Sequence, residues 1–310
     1  MEYARQEAGE AFLGGQKRVE VVQAYFLLSL YPTPTRRWEE DRSWIYLGQA
    51  IRVAMDMNLH HPNTATPLNE LHAREMLNRT RAWLNCFNSD RSYGSQYGKT
   101  AVISNADYVA SHSPEWWNSS EHNIEHFDIH LCAYTSELRV LSDFLSKVYS
   151  NPEHPTGLNK VGFLLQYFVF GVAHPLSQEI DLGKLASEAD DKIEELRLQW
   201  FTILEKTDTD DPQNCFRIGL LKLAYSYARL VALAFGFQHA FGKSNTDENP
   251  FLYRVRRSIL LDLTVPTLFL DPQCIRAASD VVTAMVDDVG RPSQSERRLV
   301  GAVFLVLISA

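Results

Sequence analysis

Residues Ile124 to Val148 read IEHFDIHLCAYTSELRVLSDFLSKV. Ile124, Phe127, Leu131, Tyr134, Leu138, Leu141, Leu145 and Val148 follow one another at steps of three and four. That spacing lines them along one stripe of an α-helix. Sustained over more than three heptads, it is the seam along which helices pack at shallow angles, inside the domain or against a partner. Working outward, the same period recurs. Val19, Val22, Phe26 and Leu30 share a face, and Pro32 and Pro34 stop that helix because neither can continue it. Trp44, Leu47, Gly48, Ile51, Ala54 and Met55 form a second such face, with Asn58 and Pro62 as its exit. A third helix is expected to start after Thr66-Pro67, to run through Trp83 and Phe87, and to end between Gly94 and Gly98. Gly48 costs roughly 1 kcal/mol against alanine inside a helix, so close approach of a neighbouring helix is the expected reason for it. Further helices are expected over 159–173, 179–205, 214–241 and 274–289. Alternating apolar patterns are scarce. The fold class is therefore all-α, a multi-helical, bundle-like domain spanning 1–310, since the acidic loop KTDTDDPQN is too short for a linker.

Composition narrows the function. The chain has 310 residues, 45% of them hydrophobic, which is globular rather than disordered composition. Its formal net charge of −8 argues against a surface that grips many phosphates. The arginine clusters, such as Arg36-Arg37 and Arg297-Arg298, are small and read as solvated helix ends. Cys86, Cys132, Cys215 and Cys274 stand far apart with no Cys-x-x-Cys pair, so these residues build no zinc cluster. The N-terminus, MEYARQEAGEAFLGG, lacks a basic-then-apolar signal, which predicts an intracellular, reducing compartment. The apolar runs Val161–Ala173 and Leu299–Ala310 are too short to span a bilayer, so no membrane partner is expected. The second run follows Ser295-Glu296-Arg297-Arg298 like the body of a helix cut short, packed on the 274–289 helix, so the chain reads as a fragment.

Catalytic chemistry finds little support. His122, His126 and His130 repeat at steps of four. One straight helix cannot wrap all three around a metal, because the outer two lie about 12 Å apart along the axis. They also fall off the Ile124–Val148 seam, on the side expected to face water. Gly94-Ser95-Gln96-Tyr97-Gly98 is not a Gly-x-Ser-x-Gly elbow and follows no strand. No glycine-rich phosphate loop is present, and no enzyme is expected. More telling are charges set among apolar neighbours. Arg52 lies between Ile51 and Val53 with Asp56 one turn on, an available ion pair. Asp90 and Arg91 lie close to the face of Trp83 and Phe87, where a charge must be paired. A polar network with Arg81, buried between the second and third helices, is one reading. The other is that these groups line a pocket for a small effector or contact the rest of a larger protein.

Val22 to Lys99 carries a resemblance on specific residues. Trp44, Gly48, Ala50, Arg52, Ala54, Leu59 and His60 are followed by Arg79, Trp83, Cys86, Phe87, Asp90, Arg91 and Gly98. This series resembles the regulatory middle homology domain of fungal binuclear-zinc-cluster transcription factors of the xylanolytic-activator type. The resemblance implies a nuclear regulator of RNA polymerase II transcription that modulates activity by intramolecular or effector-dependent control. It implies a parent protein that binds DNA through a zinc cluster absent here, so no cofactor is expected in this chain and zinc only in the parent. Implied partners are DNA, the transcription machinery or co-regulators, a small-molecule effector and a second copy in a homodimer. Candidate structural or regulatory residues are Trp44, Gly48, Arg52, Arg81, Trp83, Asp90, Arg91 and Gly98. The alternative is a helical protein-interaction scaffold with neither ligand nor DNA-binding role.

Overall fold

A computed structural model describes residues 2–159, 182–208, 211–244 and 272–289. Its described elements are α1 (Glu2–Leu13), α2 (Val19–Leu30), a 3-10 turn at Trp38–Glu40, α3 (Ser43–Asp56), α4 (Glu70–Tyr97), the short α5 (Tyr108–Ser111) and α6 (Ser113–Trp116), α7 (Glu125–Val148), α8 (Leu182–Leu204), α9 (Pro212–Ser244) and α10 (Pro272–Thr283), which continues as a π-helical turn over Ala284–Val289. No strand occurs among the described residues, and the protein is all-α. The helix expected over 159–173 and the apolar run 299–310 lie outside the described residues.

The chain divides into two compact units. The first holds Met1–Arg139, Trp200–Leu221 and the residues from Val286 on. Here α2 departs from its expected face. Tyr25, Leu28 and Ser29 are buried with Val19 and Val22, while Phe26 and Leu30 are only half-buried. The polar groups enter because each has a partner. Tyr25 Oη donates to the Ala8 carbonyl of α1 (3.0 Å), Ser29 Oγ to that of Phe26 (2.7 Å), and Tyr93 Oη of α4 to that of Ser29 (2.7 Å). α3 presents Leu47, Ile51 and Ala54 to the core, as its period predicts, together with Ala50 and Val53, whereas Met55 of the expected face is exposed. It ends where Asn58 takes the left-handed conformation (φ 56°), and Leu59 N–H returns to the Ala54 carbonyl.

α4 begins three residues later than expected from Thr66-Pro67. Asn69 caps it, its side chain accepting the His72 N–H at 2.9 Å. It ends as predicted, on Gly98 in the left-handed region (φ 62°). Its second half is buried almost all round, polar residues included, from Ala82 through Tyr93 apart from half-buried Asn85. α7 behaves likewise. Of its expected seam, Leu131, Leu138, Leu141 and Val148 are buried, Phe127, Tyr134 and Leu145 are half-buried, and Ile124, just ahead of the helix, is exposed. Asp128, His130, Thr135, Ser136 and Glu137 are buried off the seam. Two neighbouring helices that are both interior cannot each keep a polar side for water.

The second unit comprises Val140–Gln199 and Lys222–Met285. In it Arg229 of α9 grips Asp190 of α8 through Nε (2.6 Å) and Nη2 (3.2 Å), and Glu194 through Nη1 (2.9 Å). Gly236 lets α9 approach α8 so closely that a Cβ there would stand 2.8 Å from the Ala186 methyl. Over Pro212–Gly236, α9 is long and apolar enough to cross a membrane by length and composition alone. Half of that apolar stretch is buried, Leu223, Tyr225, Ala228 and Ala232 among it, as in the core helix of a globular unit.

Candidate functional site

Polar groups of α4 converge within the first unit. Asp90 is fully buried and accepts three hydrogen bonds: from the backbone N–H groups of Val102 (3.0 Å) and Ile103 (2.8 Å), and from Arg91 Nη1 (2.9 Å). Arg91 donates its other terminal nitrogen to the Ile103 carbonyl (2.6 Å) and lies over the Phe87 ring, 4.4 Å from its centroid. Burial pushes the Asp90 carboxyl up and the Arg91 guanidinium down. Both backbone donors and the cation oppose that push on Asp90. The pair fixes the segment 101–104 against the end of α4.

Nearby, Trp83 is buried and donates its indole N–H to Asp107 (3.1 Å), which also caps α5 by accepting the Ala110 N–H (2.8 Å). Earlier on α4, Arg81 holds Asp128 with two parallel bonds of 2.6 and 2.8 Å and lies over Trp116 at 5.7 Å. Asp128 in turn organises the start of α7, accepting from Asn123 Nδ2 (3.0 Å) and the Ile124 N–H (2.9 Å). A planar guanidinium on a buried carboxylate is the strongest charge pair available to side chains.

The expected grouping is thus changed. Arg81, Asp90 and Arg91 are buried or half-buried and paired, but they tie α4 to the 101–107 segment and to α7, not to α3. Arg52 is exposed and takes no part, and Asp56 pairs with Lys17 (2.8 Å) instead. Gly48 does not mark a close approach, since a Cβ there would meet nothing within 4 Å. Trp44 is half-buried, its ring 6.4 Å from that of Tyr93. Gly98 has the backbone role of a helix cap.

α7 brings further groups that sequence reasoning missed. His130, expected on the solvated side, is buried, and its Nε2 meets Asn214 Oδ1 at 2.8 Å. Burial lowers its pKa to about 4, so the ring is neutral at physiological pH. Arg217 donates to the His126 carbonyl (3.1 Å). Glu137 is 1% exposed, and its Oε2 has no hydrogen-bond partner. Burial raises its carboxyl well above the usual range. Cys86 is an interior thiol pushed up to about 12, unsuited to nucleophilic work. No group of three or more His, Cys, Asp or Glu side chains among the described residues is placed to hold a metal ion. Asp107 and Asp128 had a legible local signal, an acid just before a helical run and one in its first turn. Their partners on α4, Trp83 and Arg81, stood out in the sequence, but nothing local paired them with these acids.

The model of the fungal-specific transcription factor domain family matches residues 10–206. Protein priB of Lentinula edodes is 28% identical over 109 residues, which are 34% of this chain and 19% of that protein. The chain therefore corresponds to a minor part of the length of this curated relative. No solved structure matches.

Proposed function

Because the chain belongs to the fungal-specific transcription factor domain family, whose members are regulatory rather than catalytic, we propose that it is the control domain of a nuclear zinc-cluster regulator of RNA polymerase II transcription. DNA contact and zinc would belong to a cysteine-rich segment that this sequence does not contain. The domain would hold an activating segment in check through intramolecular contacts and release it when an effector or co-regulator binds. The observation that supports this reading is the coincidence of the family match with a densely tied helical unit. Its Asp90–Arg91 pair is buried and its Arg81–Asp128 pair joins α4 to α7 with the carboxylate buried, so two arrangements of α4 and α7 would be separate packings rather than a continuum. A regulator with a few kcal/mol between such states is switched by any ligand that prefers one of them.

The test is a reporter assay in yeast. A heterologous DNA-binding domain and activation domain are joined directly or through residues 1–310. The expected result is lower reporter output with the inserted domain at equal protein level, relieved by Arg81→Met. Equal output from both fusions would leave the domain a passive scaffold.

A further inference from the structure

A cleft of about 360 Å³ opens in the first unit between the α3–α4 loop, the first half of α4, and α5 with α6. That volume lies in the range of small-molecule sites. Its floor is apolar, formed by buried Ala73 and Leu77 of α4 and Val109 of α5. Its rim is aromatic. Tyr108, half exposed, stacks on His112 with ring centroids 3.9 Å apart, and Trp116 adds a third ring.

The polar groups on the wall are few and have spare capacity. His112 Nδ1 lies 2.8 Å from the Tyr108 carbonyl, which can only accept, so Nδ1 carries the proton and Nε2 offers a lone pair. The Asn63 amide makes no hydrogen bond to another described residue. Ser120 Oγ accepts the His122 N–H (3.2 Å) and keeps its own proton to donate. The described lining contains no Asp, Glu, Lys or Arg. A charged ligand would shed water there without gaining a counter-charge.

We propose that this cleft binds a neutral aromatic alcohol or a molecule of the same chemistry. Its flat body lies among the rim rings and the apolar floor, while its hydroxyl donates to His112 Nε2 and accepts from Asn63 or Ser120. The binding is read without reference to transcription. Only its consequence rests on the regulatory reading: Trp116 touches both the cleft and Arg81, so an occupant presses on the Arg81–Asp128 pair that joins α4 to α7.

Isothermal titration of the 310-residue protein with three probes on one ring system tests this: neutral indole-3-ethanol, anionic indole-3-acetate and cationic tryptamine. Indole-3-ethanol is expected to bind, with both charged probes weaker by about tenfold or more for want of a counter-charge. Ala73→Met and Thr80→Met each fill the cleft from α4 and are expected to weaken indole-3-ethanol to a similar degree. If one variant does not fold, the other and the wild-type charge series still decide. No binding of indole-3-ethanol at millimolar concentration, equal affinity for the three probes, or unchanged affinity in the filled variants overturns the proposal. None of these results alters the reporter comparison, so the regulatory reading stands or falls separately.

Discussion

Glu137→Gln is the sharpest probe of the interior of the first unit. The carboxyl sits on α7, 1% exposed, with Oε2 unbonded and no cation paired to it among the described residues. Burial raises its pKa well above the 4.5 of a free glutamate. In the unfolded chain the group therefore loses its proton near pH 4.5, whereas in the folded protein it keeps it to a higher pH. Its contribution to stability is fully present below that lower value and is lost as pH rises through the folded pKa. Inside the window the loss approaches about 1.4 kcal/mol per pH unit, the value for one proton. Glutamine has the same shape and does not titrate, so the variant lacks this slope. Urea unfolding followed by circular dichroism at about pH 5, 6, 7 and 8, at fixed ionic strength, gives the difference between the two proteins. That difference should move in favour of the variant as pH rises above 4.5, and level off once pH passes the folded pKa. A poorly bonded amide would displace the whole curve without changing its slope. Parallel profiles for the two proteins would refute the reasoning, because they would mean that Glu137 is solvated or paired in solution.

Gly48→Ala should stabilise by about 1 kcal/mol, since the new methyl meets open space and the helix gains propensity; a loss in thermal midpoint would mean that a neighbour lies closer than found here. Asp90→Ala strands the buried Arg91 cation and should destabilise by about 3 kcal/mol, part of it regained in the Asp90→Ala/Arg91→Met double variant. An unchanged midpoint would place Asp90 at the surface. Gel shifts with the 310-residue chain at roughly physiological salt should show no sequence preference, given its net charge of −8. A specific shift would assign DNA reading to these residues themselves.

Much of the fold was legible because apolar period and end signals are local. The body of α3, the close of α4 on Gly98 and the run of α7 all follow from residues within a few positions of each other. The start of α4 was misplaced because Thr66-Pro67 imitates a cap, while Asn69 caps by reaching only to His72. The side chains that matter most were half legible. A charge among apolar residues announces that it needs a partner, but not which one. Arg81 finds Asp128 forty-seven positions on, and Asp90 turns to a loop instead of to α3. His130 was misread for a related reason. Periodicity distinguishes inside from outside only on a helix that has an outside, and α7 is enclosed along most of its first half.

That enclosure bears on where the protein can be cut. The recognisable family sequence stops at residue 206, but the neighbours that complete α7 come later, from the first turns of α9. Asn214 receives the His130 ring, and Arg217 caps the His126 carbonyl. A gene trimmed to the family boundary would keep every motif by which the domain is known and still lose the lid over α7. It would bare a buried imidazole and leave Phe216, Leu220 and Leu221 out of the unit they help to fill. The stretch that carries the ancestry is thus shorter than the unit it belongs to, and an expression boundary for this chain belongs beyond the first three turns of α9.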